Sequence, residues 1–347
     1  LNWADKNKGV LGETNRNQVR GEALALRAFL HFDLYRLFCP DVKLSPRAEG
    51  IPYNKEFGVV LPPMYTVEEV VQLVINDLKE AEILLASDPI VSTVPYTLGT
   101  KSDADKYVAR MNLYGVKAML ARAYQAKGDN VKAVAYAKEV IESGKFRLLE
   151  FASVDQTEAL TDVLFSDEHI FSLRNKELKD YSEKLHRDEK KDGATSFKPL
   201  PFGSYYNWYE GNNDDVRYSK WFNLGDFMKY YMDNTDAFFR KMPMIKLSEM
   251  YLIVAECSFD TDSEMSLEYL NVLRDHRIRN HVHLQYLSKE SIQDEMRREY
   301  LGEGQMWYVM KRNNLKIETG SSSGDIEPSD VVYVFPMPDA EIEDGHR

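Results

Sequence analysis

Apolar residues recur at three- and four-residue steps in five stretches of the chain, and this spacing predicts helices with one buried face. Ala23, Leu26, Leu30, Leu34 and Leu37 mark a helix from Val19 to Phe38, with those five facing inward and Pro40 ending it. Val70, Val74, Leu78, Ala81 and Leu85 mark a second, from Thr66 to Leu85. It opens on Thr66 and Glu69, which have the spacing of a capping box. From about 112 to 143 two helices flank the turn Gly128-Asp129. Another pair runs from about 245 to 277: Met250, Ile253, Val254 and Cys257 line one helix, and Leu267, Leu270 and Leu273 line the other. Its Asp260–Ser263 turn lacks glycine. A further helix is expected over about 291–311.

The stretches between are of another kind. Residues 41–65 form a loop with Pro46, Pro52, Pro62 and Pro63, and 87–103 is rich in Ser, Thr, Pro and Gly. The region 145–240 is irregular, with a β-like run at His169–Leu173 and a charged stretch, Lys176 to Asp192, read as a solvated helix or loop. Residues 199–211 are crowded with aromatics, and Val331–Met337 reads as a short extended tail.

With Gly128 at the turn of a tetratricopeptide repeat, Leu120, Ala121, Tyr124 and Ala133 fall on four of its signature positions. The reason is steric: small Ala lets two helices approach, while Leu and Tyr fill the groove between them. Such pairs cannot bury their faces alone, so they must stack. The expected fold is therefore mainly α: tetratricopeptide-like helix pairs forming a scaffold, with a loop-rich region carrying short β segments. The scaffold occupies about 20–143 and 245–312, the loop-rich region about 145–240, and the whole of 1–347 reads as one domain.

Composition narrows the function classes. The formal net charge of −12 repels phosphate backbones and argues against nucleic acid as a partner. It also leaves no polybasic patch for anionic lipid. No apolar run approaches the ~18 residues of a membrane span. Cys39 and Cys257 both sit in apolar helical sequence and read as buried free thiols. The first residues, Leu1-Asn2-Trp3-Ala4-Asp5, are not a signal peptide and do not begin with Met, so a processed or truncated chain is expected.

Seven segments, in order from about residue 20 to the end, resemble the SusD/RagB family. Arg20–Phe38 resembles its Glu-Ala, Leu-Arg-Ala, Phe-Asp-Leu helix. Tyr65–Val70 follows, with Asn76, Asp77, Leu78 and Ala81, and then the repeat at 112–143. Asp214-Asp215-Val216-Arg217 is similar to the family's Asp-x-Arg element, and Pro243–Glu256 to its next helix. Arg297-Arg298-Glu299 comes with Glu303-Gly304 and Trp307-Tyr308, and Phe335-Pro336-Met337-Pro338 with Glu341-Ile342. Met296 and Met306 stand where the family usually has Arg, and Val309 where it has Asp, which puts a polar network at that helix in doubt. Family members carry more sequence before the first motif, so an N-terminal part is expected to be missing here.

The resemblance implies a lipid-anchored protein on the outer face of the outer membrane. It implies capture of an oligosaccharide, or a peptide, for a SusC-like TonB-dependent transporter. It implies no enzymatic turnover and no cofactor, and membrane contact only through an anchor this chain lacks. A tetratricopeptide scaffold that binds another protein is the alternative.

The aromatic segment offers the candidate ligand residues Tyr205, Tyr206, Asn207, Trp208 and Tyr209. Its 201–211 run holds four of the chain's 41 aromatics (21 Tyr, 16 Phe and 4 Trp) beyond Phe202. Tyr and Trp faces stack on sugar rings at little entropic cost, while Asn binds hydroxyls. The same aromatics can also tuck onto the helices as a local core. Tyr53 and Tyr96, with Tyr65, are secondary candidates in loops beside helix ends, where packing is the commoner use. Asp103 and Asp105 supply too few oxygens for calcium. His281 and His283 form an HxH with no third ligand near in sequence, so no metal site is expected. His31 reads as packing or a satisfied hydrogen bond. No nucleophile elbow, phosphate loop or distinctive carboxylate pair is present. Glu22, Arg27 and Asp33, and likewise Arg297, Arg298 and Glu299, read as charge pairs that tie helices together.

Overall fold

The computed structural model describes residues 2–56, 58, 61–93, 106–155, 162–186, 204–223, 226–231, 241–319 and 324–344. Among these, helices dominate, and the strands form three two-stranded antiparallel sheets. No helix is long and apolar enough to cross a membrane among the described residues. Two compact units emerge: one holds residues up to Asp88, Met119–Ala133 and Glu303 onward, the other Pro89–Ala118 and Val134–Gly302.

In the first unit the Lys8–Phe38 helix packs along the Val67–Leu84 helix. The second of these behaves as its sequence dictates. Thr66 Oγ1 accepts from the Glu69 N–H, and Glu69 Oε2 accepts from the Thr66 N–H at 2.8 Å. Val70, Val74, Leu78, Ala81 and Leu85 are all buried. Each large aliphatic there contributes roughly 1.5–3 kcal/mol relative to exposure.

The first helix departs from expectation. It begins earlier, at Lys8, across a kink at Gly12, and it buries Leu24, Ala25, Ala28, Phe29, Phe32 and Tyr35. Leu26, Leu30 and Leu34 are exposed, Leu30 by 61%. Apolar residues surround this helix, so periodicity alone does not choose the face. Close approach decides it: a Cβ on Gly21 would lie 2.6 Å from Leu85 Cγ. The helix ends as read, because Cys39, preceding Pro40, is pushed to extended φ/ψ of −115° and 155°.

Arg27 joins the two helices through a two-pronged pair with Asp77, at 2.6 and 2.7 Å. Asp33 instead pairs with Arg36 of its own helix. The Arg36 guanidinium lies 3.7 Å from the centre of the Tyr308 ring. In the repeat, Leu120, Ala121, Tyr124 and Ala133 are all buried, and Gly128 takes the positive φ of 84° that its turn requires. The helix expected over 291–311 is broken: Lys289–Glu299 and Gln305–Arg312 are separate, with Gly302 and Gly304 at φ 74° and 70°. The tail is not extended throughout, since Asp330–Tyr333 closes a helical turn. Trp307 stacks on Phe335, with ring centres 5.8 Å apart, a structural use of both.

The second unit holds the Leu247–Ser258 and Ser263–Asp275 helix pair, started afresh by Asp262, whose carboxylate accepts from the Met265 N–H. The β-like run is a strand, His169–Arg174, paired with Lys241–Lys246. A cluster of Leu149, Val154, Leu164, Phe165, Val216, Trp221 and Phe227 forms its core. Neither cysteine forms a disulfide, both are buried, and burial pushes the Cys39 thiol up to about 12.

Candidate functional site

The second unit contains a lattice of buried charges, and the aromatic segment hangs from it. Arg217 pairs with Asp215 at 2.7 Å and Glu295 at 2.7 Å, and reaches Glu299 at 3.2 Å. Arg277 bridges Glu168 at 2.7 Å and Glu299 at 2.9 Å, and Lys246 adds a third contact to Glu299 at 2.9 Å. Arg274 and Arg298 both hold Glu295, at 2.7 and 2.8 Å, and both reach Glu210, at 2.8 and 2.9 Å.

These are five cations against five carboxylates, so the group is neutral as a whole. Neutrality with dense hydrogen bonding is what makes burial of so many charges tolerable. Burial raises the Glu295 carboxyl, but Arg217, Arg298 and Arg274 outweigh it and hold the group well below the usual range. Glu299 behaves in the same way under Arg277 and Lys246.

Sequence alone marked Arg298 and Glu299 as fold determinants, but not Glu168, Lys246, Arg274, Arg277 or Glu295. One signal was there: Glu295 and Glu299, at i, i+4 in the Lys289–Glu299 helix, share a face with buried Ile292. The polar network does not suffer from Met296, which is buried beside it.

Asp215 ends the aromatic segment by accepting from the Arg217 N–H as a helix cap. Upstream, residues Ser204–Trp208 form a short helix rather than a loop. Arg298 Nε donates to the Trp208 carbonyl at 2.6 Å, and Tyr209 Oη donates to the Arg298 carbonyl at 3.2 Å. Burial raises Glu210, but Arg274 and Arg298 bring it below the ordinary carboxylate range. Glu210 and Gly211 both take positive φ, at 59° and 65°, which turns the chain sharply after Tyr209.

This frame sorts the candidate residues. Tyr205 and Tyr209 are 4% and 1% exposed and point inward. Tyr205 packs against Phe222, with centroids 4.4 Å apart, and Tyr209 lies beside Tyr218 at 5.9 Å. Burial raises the Tyr205 hydroxyl above its ordinary value. Asn207 is exposed, and Tyr206 and Trp208 are half-buried on either side of it. Two partners not foreseen in the sequence join them. Tyr218 packs on Tyr206 at 5.4 Å, and the Arg297 guanidinium lies 5.8 Å from the Trp208 ring centre.

In the first unit, Tyr53 is 1% exposed and donates its hydroxyl to Asp77 at 2.7 Å, with His31 stacked on it at 4.1 Å. It is a core residue, and no ring face is left for a ligand. His31 donates Nδ1–H to the Arg27 carbonyl and accepts the Asn54 N–H at Nε2, a satisfied histidine as read. Tyr65 is half-buried in the Met64–Thr66 strand. Tyr96, Asp103, Asp105 and Pro201–Gly203 lie outside the described residues. His281 and His283 gain what the sequence did not show, a nearby carboxylate, Asp275.

Residues 4–113 match the family described as "Starch-binding associating with outer membrane", and residues 202–344 match the "SusD family". No curated protein matches the chain by sequence. Among solved structures, a SusD superfamily protein from Bacteroides thetaiotaomicron superposes with a TM-score of 0.74 at 22% identity, covering 99% of this chain and 80% of that one. A SusD-like carbohydrate binding protein from Bacteroides vulgatus gives 0.68 at 19%, covering 94% and 76%. Surface glycan-binding protein A from Bacteroides uniformis gives 0.63 at 18%, covering 96% and 75%. At such identities these structures speak for the fold. With the two family matches and the fold in agreement, the chain belongs to the SusD/RagB family.

Proposed function

We propose that this protein captures an oligosaccharide, or in the narrower alternative a peptide, at the outer face of the outer membrane and passes it without turnover to a SusC-like TonB-dependent transporter. The capture surface is the short aromatic ledge Tyr206, Asn207 and Trp208. One observation carries the reading. The ledge is partly open to solvent, yet the Trp208 carbonyl is held from below by Arg298, which Tyr209 and Glu210 hold in turn. A rigid aromatic platform is what stacking on a sugar ring needs, because little conformational entropy is then lost on binding.

The descriptions of the two matching families, starch binding at the outer membrane and SusD, support the same class. So does the carbohydrate-binding character of the Bacteroides vulgatus and Bacteroides uniformis relatives. Lipid anchoring and the transporter partner rest on the family alone.

The test is calorimetric titration with a panel of oligosaccharides and peptides, repeated on Trp208→Ala. Saturable binding that the substitution weakens, with ligand recovered intact, is the expected result. Recovery of shortened ligand, or equal binding by the variant, overturns the proposal.

A further inference from the structure

At the end of the Ser263–Asp275 helix the chain doubles back and lays two histidines against the last helical residue. Asp275 Oδ1 lies 2.8 Å from His281 Nδ1, and its two carboxylate oxygens lie 3.1 and 2.9 Å from His283 Nε2. One donor atom from each of the three residues falls within 4.8 Å of the others. We propose that Asp275, His281 and His283 form a binding site for a divalent transition-metal ion, with zinc as the reference ion.

The spacing is that of ligands already gathered. A tetrahedral ion with bonds of roughly 2.0–2.1 Å separates its ligand atoms by roughly 3.3 Å. The observed nitrogen–oxygen distances are only slightly shorter. Two imidazoles and one carboxylate select zinc, nickel or copper, whereas calcium needs more oxygens than this site offers. Access is open on one side: the His283 side chain is 57% exposed, while His281 is buried. Solvent can therefore complete the coordination.

Binding has a stated cost. Without metal, His281 gives its Nδ1–H to Asp275 and accepts the Arg274 Nε–H at Nε2, at 3.1 Å. A metal on Nδ1 moves the ring proton to Nε2, so that Arg274 contact must open. Arg274 stays anchored by Glu210 and Glu295. His283 likewise frees Nε2 by shifting its proton to Nδ1. The ion would tie the helix end to the following loop, where Val282 and Tyr286 are exposed.

The experiment is calorimetry with zinc chloride on metal-stripped, tag-free protein, with His283→Ala and Asp275→Asn as variants. One saturable site is expected, weakened at least about tenfold in each variant. A zinc-dependent rise in Tm should vanish with the site, and calcium should give neither signal. His283 is an exposed side chain, so its loss leaves folding intact. Equal zinc binding by His283→Ala, or no saturable binding to the parent protein, overturns the proposal whatever the outcome for glycans.

Discussion

Arg298 donates its Nε to the Trp208 carbonyl at 2.6 Å, so a guanidinium of the interior lattice fixes the backbone of a half-buried aromatic. The same guanidinium pairs with Glu295 and Glu210. Stability and recognition thus meet at one residue, and substitutions on either side of that bond separate them. Trp208→Ala should weaken glycan binding roughly tenfold, about 1.4 kcal/mol, with Tm nearly unchanged. Arg298→Met should lower both affinity and Tm. Titration and thermal melting, run side by side, check the split.

Arg277 lies between Glu168 and Glu299 with its side chain wholly buried. Arg277→Met leaves both carboxylates with less compensation than their burial requires. A loss of about 3–5 kcal/mol in urea unfolding is expected, the usual cost of breaking a buried pair. A loss under 1 kcal/mol would show that Lys246 and Arg217 suffice to hold Glu299.

His169 is buried, and burial lowers it to about 3, aided by Lys241 and Lys246; Leu164 accepts its Nε2–H at 3.0 Å and opposes the shift. The unfolded chain titrates near the ordinary value of about 6.5. Below that pH the unfolded state takes a proton that the folded state refuses, so stability falls from about pH 6.5 towards pH 3. At pH 5 the loss from this one group is about 2 kcal/mol. His31 acts in the same sense. His169→Gln should therefore flatten the decline between pH 7 and 5, measured by urea midpoints. An unchanged decline would remove His169 as its source.

Gly302 combines a φ of 74° with a Cβ position 2.7 Å from Phe227 Cε1. Gly302→Ala meets a left-handed backbone and an aromatic wall at once. It should cost several kcal/mol, in the range of about 2–4 for combined strain and overpacking. The readout is soluble yield and Tm.

Tyr53→Phe removes the hydroxyl that Asp77 accepts at 2.7 Å. About 1–3 kcal/mol of stability should go, since among the described residues Asp77 then keeps Arg27 alone as side-chain partner. Glycan affinity should not move, because the ring is enclosed. A change in affinity with no change in Tm would return Tyr53 to the ligand surface.

The helix pairs were readable because their cause is local. Thr66 and Glu69 cap within one turn, Gly128 turns within one residue, and Val70–Leu78 repeat on one face. Proline marked the end of the first helix, through its effect on Cys39. The break at Gly302–Gly304 was visible as glycine but was outweighed by the apolar spacing on both sides.

The site was less legible. The sequence gathered Tyr205, Tyr206, Asn207, Trp208 and Tyr209 as a set but carried no information on which would face outward. A short helix divides them, turning Tyr205 and Tyr209 inward at i, i+4 and leaving the three between them towards solvent.

What the sequence determined by itself was the helical class, the repeat turn, the capping and the chemical types in the aromatic segment, because each depends on residues a few positions apart. Only the tertiary structure decided which face of Lys8–Phe38 is buried, which carboxylates balance Arg217 and Arg277, and that Asp275 meets His281 and His283. Those outcomes depend on groups brought together from distant positions, or across a turn whose geometry no periodicity records. Burial there sets the energy of every charge by what happens to lie beside it.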